Sequence, residues 1–256
     1  MKCSLVSLLT TDYDKIPEKN VKIVIEILNK LQDSDLILFS GWTLSNKADL
    51  DNVIKNINNR NIFVLEVGSG YFNRKNLNSE CGFYIVKERK IIKSAIKQIF
   101  MDSNEANNNE NNLIKKYLSK LEEERLFNIG NKNVRLIICG ENNILRNKQK
   151  ENNNVCFRID DNDLNNQFQS IIKDTDIFLN SAHTPMGNLG KLKKRWIYLS
   201  QNHRICLFTT NETSKSKTKI SNLRKSSLQY IFVNGEEKSG NEEINDKYKI
   251  ITIEIN

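Results

Sequence analysis

Short, mostly apolar runs rich in β-branched residues alternate along this chain with stretches of helical spacing. Residues 4–9, 35–39, 61–67, 82–86, 134–139, 155–159, 176–179, 204–209, 230–233 and 248–255 read as strands. Most are four to seven residues and almost wholly apolar, the pattern of strands buried on both faces or packed in a sandwich. Between them, residues 20–32 place Val21, Val24, Ile25 and Leu28 on one stripe, and residues 50–57 repeat Leu50, Val53, Ile54 and Ile57. Residues 112–126 do the same with Leu113, Ile114, Tyr117, Leu118 and Leu121. These i, i+3, i+4 spacings predict amphipathic helices, and residues 164–174 and 189–202 predict two more. The order of elements argues α/β or α+β layering. The asparagine-rich residues 104–112 read as an exposed loop or a frayed helix start. Residues 214–227 and 234–245 read as polar, charged loops.

Composition narrows the class. With 256 residues, 38% of them apolar, the chain can bury one large core, and with two prolines and no Gly/Ser-rich divider it reads as a single α/β domain over residues 1–256. No apolar run approaches the roughly 18 residues a membrane span needs. The start reads as a first buried strand, since Asp12 and Asp14 follow it too soon for a leader's apolar core. Five cysteines stand far apart with no CxxC pair, which fits reduced thiols in a cytoplasm. Two histidines and no ligand spacing argue against structural zinc. The net charge of +8 raises nucleic acid as a partner, but the lysines are scattered among asparagines and no reader motif accompanies them.

The most informative stretch is Val134-Arg-Leu-Ile-Ile-Cys139-Gly140-Glu141, a buried strand ending on a cysteine with a glycine next. Gly140 permits a tight turn, and such a turn can lift a thiol off the strand end; the thiol is nucleophilic only with a lowered pKa or a nearby base. A buried structural cysteine would look the same. Lys97 lies between apolar residues that would steady its stem, where an ammonium can stabilise an anion formed during attack on a carbonyl or nitrile carbon. Glu66 interrupts an apolar strand just before a glycine-rich turn, and a carboxylate there is costly unless paired. Glu105 lies in the polar loop. His183, in Leu179-Asn-Ser-Ala-His183-Thr-Pro185, sits at a strand end where it can line a pocket, though spacing alone does not pair it with a cysteine.

Together these segments resemble the nitrilase superfamily of carbon–nitrogen hydrolases over roughly residues 5–209. Residues 4–9 with Asp14 and Asn20 look like its first strand and the start of its first helix, and residues 35–39 like its second strand. Lys97-Gln-Ile-Phe100 resembles its catalytic-lysine motif, Glu105 stands where many members carry a second glutamate, and Ile137-Ile-Cys139-Gly-Glu141 looks like its nucleophile strand and elbow. The resemblance implies a four-layer α-β-β-α sandwich, no metal or organic cofactor, and a tendency to homo-oligomers. It also implies a Glu-Lys-Cys site in which Cys139 attacks a small amide, carbamoyl or nitrile substrate and Lys97 stabilises the intermediate. One position departs: the family's first catalytic glutamate would fall in Phe39-Ser40-Gly41-Trp42, where Gly41 carries no carboxylate. Glu66, on the neighbouring strand, is the expected substitute if it points inward. Glu105, Glu141 and His183 are the expected lining of the substrate pocket. Two functions follow: a thiol-dependent hydrolase of a small non-peptide C–N substrate, or a nitrilase-fold binding module without catalysis.

Overall fold

The computed structural model describes residues 1–10, 20–58, 61–68, 79–107, 112–183, 188–213 and 229–255. In chain order these form β1 (Lys2–Thr10), α1 (Asn20–Lys30), β2 (Leu36–Phe39), α2 (Lys47–Asn56), β3 (Ile62–Val67), β4 (Gly82–Lys87), β5 (Lys90–Ile96), α3 (Ser103–Asn107) and α4 (Asn112–Glu122). There follow β6 (Leu126–Ile129), β7 (Lys132–Ile138), β8 (Leu145–Lys148), β9 (Asn154–Phe157), α5 (Asn162–Lys173), β10 (Ile177–Ser181), α6 (Leu189–Ser200) and β11 (Ile205–Thr209). The rest is β12 (Glu212–Thr213), β13 (Gln229–Val233), β14 (Glu236–Lys238), β15 (Asn241–Ile244) and β16 (Tyr248–Glu254). A 3-10 turn, Cys139–Ile144, joins β7 to β8.

One sheet runs β15-β16-β1-β2-β3-β4-β5, with β12 pairing the end of β1; the other runs β14-β13-β11-β10-β7-β6. Three apolar clusters glue four layers together. Val24, Ile27, Leu28, Leu50 and Val53 of α1 and α2 pack on Val6, Ile37, Phe39 and Phe63 of the first sheet. Leu5, Leu38 and Val64 of that sheet meet Val134, Leu136, Leu179 and Leu207 of the second. Tyr117, Leu118, Phe168 and Trp196 of α4, α5 and α6 cover the second sheet's outer face with Ile137, Phe178 and Phe208. The architecture is an α-β-β-α sandwich. Burial of both faces explains why its central strands read as unbroken apolar runs; α2 buries Leu50 and Val53 of its expected stripe, while α1 buries Val24 and Leu28 together with Ile27 and leaves Val21 and Ile25 half-buried.

Strand alternation decides what faces the inter-sheet layer. On β3, Ile62 and Val64 point there, while Phe63, Leu65 and Val67 point to the helices, so Glu66 shares the inner face. On β10, Ile177 and Leu179 point inward, which sets the parity of the residues leading to His183.

Two expectations are corrected. Residues 234–245 are not all loop: they contain β14 and β15, an exposed hairpin partner and a sheet edge. Their charge hid them, because edge strands are kept polar against unwanted pairing. Within residues 104–112 the described part is the short helix α3, whose start is held by Asp102 Oδ1 accepting the N–H groups of Asn104 and Glu105. Residues 214–227 lie outside the described residues. Among the described residues no helix is long and apolar enough to cross a membrane, and all five cysteines are free.

Candidate active site

The strand β7 ends at Ile138, and Cys139 takes a left-handed φ of 44°. That conformation is costly for a residue with a Cβ and is a form of strain that clusters at functional sites. The turn is therefore made by the cysteine itself. Gly140 has a different duty from the one its sequence position suggests: a Cβ there would run into the backbone of Met101, with Met101 Cα at 3.0 Å and its carbonyl nearer still. The glycine is what lets the segment after β5 lie against the turn.

Beside Cys139 in the same sheet, just beyond the neighbouring parallel strand β10, lies His183, and Glu66 of β3 faces the two from the other sheet. Nε2 of His183 is 2.8 Å from Glu66 Oε2. The Cys139 sulfur hydrogen-bonds to the His183 imidazole and to its main-chain N–H. With Nε2 committed to Glu66, the ring presents Nδ1 to sulfur. A cysteine, an imidazole and a carboxylate thus form one line, with Glu66 reaching Cys139 only through His183. Burial opposes charge on the thiol, but the hydrogen bond and positive charge of His183 outweigh it and hold the pKa below the usual 9.0. Burial likewise opposes charge on His183, yet Glu66 and the Cys139 sulfur raise it to about 10. The balance describes a thiolate–imidazolium pair with Glu66 behind it. Cys139 is half-buried as a residue, while His183 is 4% exposed, so water is largely kept from the base.

The missing carboxylate at Gly41 has a steric counterpart. A Cβ on Gly41 would overlap His183 Cδ2 and stand 3.0 Å from both His183 Cγ and Glu66 Oε2. The imidazole occupies the space that a side chain at position 41 would need. Gly41 N–H donates to Ala182 O at 3.0 Å, fixing the turn after β2 to the end of β10. Buried Asn211 holds the same corner: its Oδ1 accepts the Leu8 N–H at 3.0 Å and the Ser40 hydroxyl, and its Nδ2 donates to Gly41 O. Next in sequence, Trp42 donates its N–H to Glu66 Oε2 at 2.6 Å and stacks on His183, with ring centroids 4.5 Å apart.

The other expected residues fall elsewhere. Glu141 is not a pocket-lining group: it is fully buried, and both its oxygens are occupied. Oε1 accepts from Ile99 N–H at 2.6 Å and Arg125 Nη2 at 2.8 Å; Oε2 accepts from Ile138 N–H at 2.9 Å and Arg125 Nη1. This ion pair clamps the nucleophile turn to the segment after β5. Lys97 was expected beside Cys139. Its side chain is exposed, opposite in parity to buried Ile96, while its carbonyl accepts from Arg125 Nη2 at 2.7 Å. Among the described residues the charges acting on Cys139 are His183 and Glu66. Glu105 accepts the Met101 N–H at 2.8 Å and so closes the turn that rests on Gly140. His183, expected to line the pocket, instead contacts the sulfur directly. Arg125, Asn211 and Trp42 went unmarked in the sequence; two are fully buried polar groups, which the sequence presents as ordinary loop and helix-end residues.

No family model and no curated protein matches the sequence, but solved structures do. An amidase from Nesterenkonia sp. AN1, carrying acrylamide added at its active-site cysteine, aligns over 100% of this chain and 93% of its own at TM-score 0.57 and 9% identity. A CN-hydrolase superfamily protein from Xanthomonas campestris, with an arsenic adduct in its active site, aligns over 99% and 90% at TM-score 0.55 and 12% identity. A glutamine-dependent NAD+ synthetase from Acinetobacter baumannii aligns over 99% of this chain at TM-score 0.59 and 12% identity, but the match covers 46% of that longer protein. At these identities the likeness speaks to the fold: this chain has the carbon–nitrogen hydrolase fold of the nitrilase superfamily.

Proposed function

We propose that the protein is a cysteine-dependent hydrolase of a small carbon–nitrogen substrate, working through Cys139, His183 and Glu66. The observation that carries this reading is the hydrogen-bonded line from the Cys139 thiol through imidazole to carboxylate. It supplies the nucleophile, base and orienting group of an acyl-transfer site. It also removes the main reason for reading the chain as an inactive binding module, because the carboxylate absent at Gly41 is replaced by a different base.

The steps follow from the pair. The Cys139 thiolate attacks the carbonyl carbon of an amide; a C–S bond forms and the C=O π pair moves to oxygen. When that pair returns, the C–N bond breaks and the leaving nitrogen takes the proton of the His183 imidazolium. A thioester on Cys139 and a neutral imidazole remain. His183 then takes a proton from water as the hydroxide attacks the thioester carbon. The acid leaves, the C–S bond breaks, and the thiolate–imidazolium pair is restored. Glu66 accepts from Nε2 throughout and keeps Nδ1 aimed at sulfur. Lys97 has no part in this scheme.

The test uses acrylamide and iodoacetamide as thiol probes, intact mass to find the adduct, and ammonia release from a panel of small aliphatic amides. Cys139 is expected to alkylate fastest of the five thiols, and ammonia release is expected to vanish in Cys139→Ala and fall by at least ~100-fold in His183→Gln. Equal labelling of Cys139 and the likewise half-buried Cys156, or amide cleavage that survives Cys139→Ala, would overturn the reading.

A further inference from the structure

Trp42 carries three unusual features at once. Its φ is 57°, the left-handed region that disfavours a bulky side chain. Its N–H donates to Glu66 Oε2, the same oxygen that meets His183 Nε2. Its indole lies over the imidazole of His183 at 4.5 Å between centroids and 28° between planes. A strained backbone is kept in a fold only when its surroundings hold it there. Here the strain turns the main-chain N–H toward the carboxylate while the ring covers the histidine. We propose that Trp42 is a positioning residue of this site, holding Glu66 by its backbone and the charged imidazole of His183 by its indole face.

The inference rests on the proposed Cys139–His183–Glu66 reading but makes a separate physical claim. An aromatic face attracts a cation placed over it, more strongly where water is excluded. His183 is so placed, and among the described residues the titratable groups acting on it are Glu66, on β3, and Cys139, in the turn after β7. Among the described residues both of these favour the imidazolium, and the indole adds to them from the turn after β2. The backbone arm is distinct: it survives any side-chain replacement that keeps the turn, so the two arms can be separated.

Only two histidines occur in the chain, so ring-labelled histidine NMR, with His203→Gln as the assignment control, follows His183 directly. Three variants are compared with the wild type: Trp42→Phe, Trp42→Ala and Trp42→Gly. Losing the indole is expected to lower the His183 titration midpoint by about one pH unit in Trp42→Ala and Trp42→Gly, with Phe restoring most of the shift. Trp42→Gly is expected to melt at or above Trp42→Ala, because glycine accepts the left-handed φ. A packing residue with no role at the site would change the melting temperature and leave the titration where it was; that result, or a Phe variant no better than Ala, overturns the proposal. Because the readout is the ionisation of His183, it stands apart from amide turnover. Failure of turnover with a normal Trp42 effect would sink the hydrolase reading alone.

Discussion

Replacing Gly41 by alanine adds one methyl group at the tightest point of the site. Gly41 has an ordinary negative φ, so alanine meets no backbone strain and the whole effect is steric. The new Cβ would overlap His183 Cδ2 and press on His183 Cγ and Glu66 Oε2 at 3.0 Å. Carbon atoms pack best at ~3.5–4.0 Å, so the ring must retreat on the order of 1 Å. Nε2 stands 2.8 Å from Glu66 Oε2, and a retreat of that size takes it out of hydrogen-bond range. Crowding of a packed site costs about 1–3 kcal/mol, and a charge-assisted hydrogen bond lost from a buried group costs about 1.5–3 kcal/mol more if nothing relaxes. A displacement of about 1 Å is also worth about 100-fold in a reaction that depends on geometry. The assay pairs iodoacetamide labelling of Cys139 with urea denaturation. Gly41→Ala is expected to slow labelling at pH 7 by 10- to 100-fold and to lower stability by roughly 2–4 kcal/mol. Wild-type labelling with unchanged stability would show that the imidazole does not fill the space at Gly41, and the account of the missing glutamate would fall with it.

The buried Glu141–Arg125 pair gives the clearest stability prediction: Glu141→Ala leaves Arg125 charged and unpaired in the interior and is expected to cost about 3–5 kcal/mol in chemical denaturation. Lys97→Ala, at an exposed position, is expected to change stability by no more than ~0.5 kcal/mol and to leave the labelling rate of Cys139 within about two-fold; a large fall in labelling would put that lysine back into the chemistry. The pH behaviour follows from opposite shifts. His183 is raised from 6.5 to about 10, so its contribution to stability is complete below 6.5 and lost as pH rises through about 10. Cys139 is lowered from 9.0, so its contribution is complete above 9.0 and lost as pH falls through its folded value. Labelling of Cys139 should therefore stay high below pH 9, and His183→Gln should move its rise above pH 9, because burial then acts unopposed. Burial also pushes Cys3 up to about 12 and Cys206 higher; both should resist iodoacetamide until the protein is unfolded, as peptide mapping before and after urea will show.

Much of the site was written in the alternation of residues. Ile62 and Val64 face the inter-sheet layer, so Glu66 does too; Ile177 and Leu179 give His183 its side in the same way. Cys139 was visible because an apolar strand ended on it. What the alternation does not carry is partnership across the sheets. Glu66 and His183 are 117 positions apart and come from different sheets, and no local signal ties two residues at that separation. Lys97 is a related case. Its neighbours are apolar, as expected for an ammonium held by its stem, yet β5 is an edge strand that exposes Lys90, Ile92 and Ser94; the alternation breaks at Ala95, whose φ is 50°, so Ile96 turns inward and Lys97 is left exposed. Arg125 follows three glutamates and reads as the end of a solvated helix, although it is fully buried against Glu141. Local charge patterns report average exposure, and a buried ion pair is the exception they average away.

Gly41, His183 and Glu66 make sense only as a set. A carboxylate after β2 and an imidazole after β10 would compete for one volume, so the presence of the ring requires glycine at position 41. The ring in turn gives half-buried Glu66 the partner without which its charge would be costly on an inward-facing strand position. Such dependence has a thermodynamic signature. If the methyl of Gly41→Ala destabilises only by striking His183, its cost should disappear once the ring is removed. In a His183→Ala background, Gly41→Ala is expected to cost no more than about 0.5 kcal/mol, against roughly 2–4 kcal/mol in the wild type. The coupling energy of the cycle then measures the exclusion directly. Additive costs in the two backgrounds would mean that Gly41 is kept small for some other neighbour, Glu66 being the next within reach at 3.0 Å. A parallel cycle with Glu66→Gln would identify that neighbour.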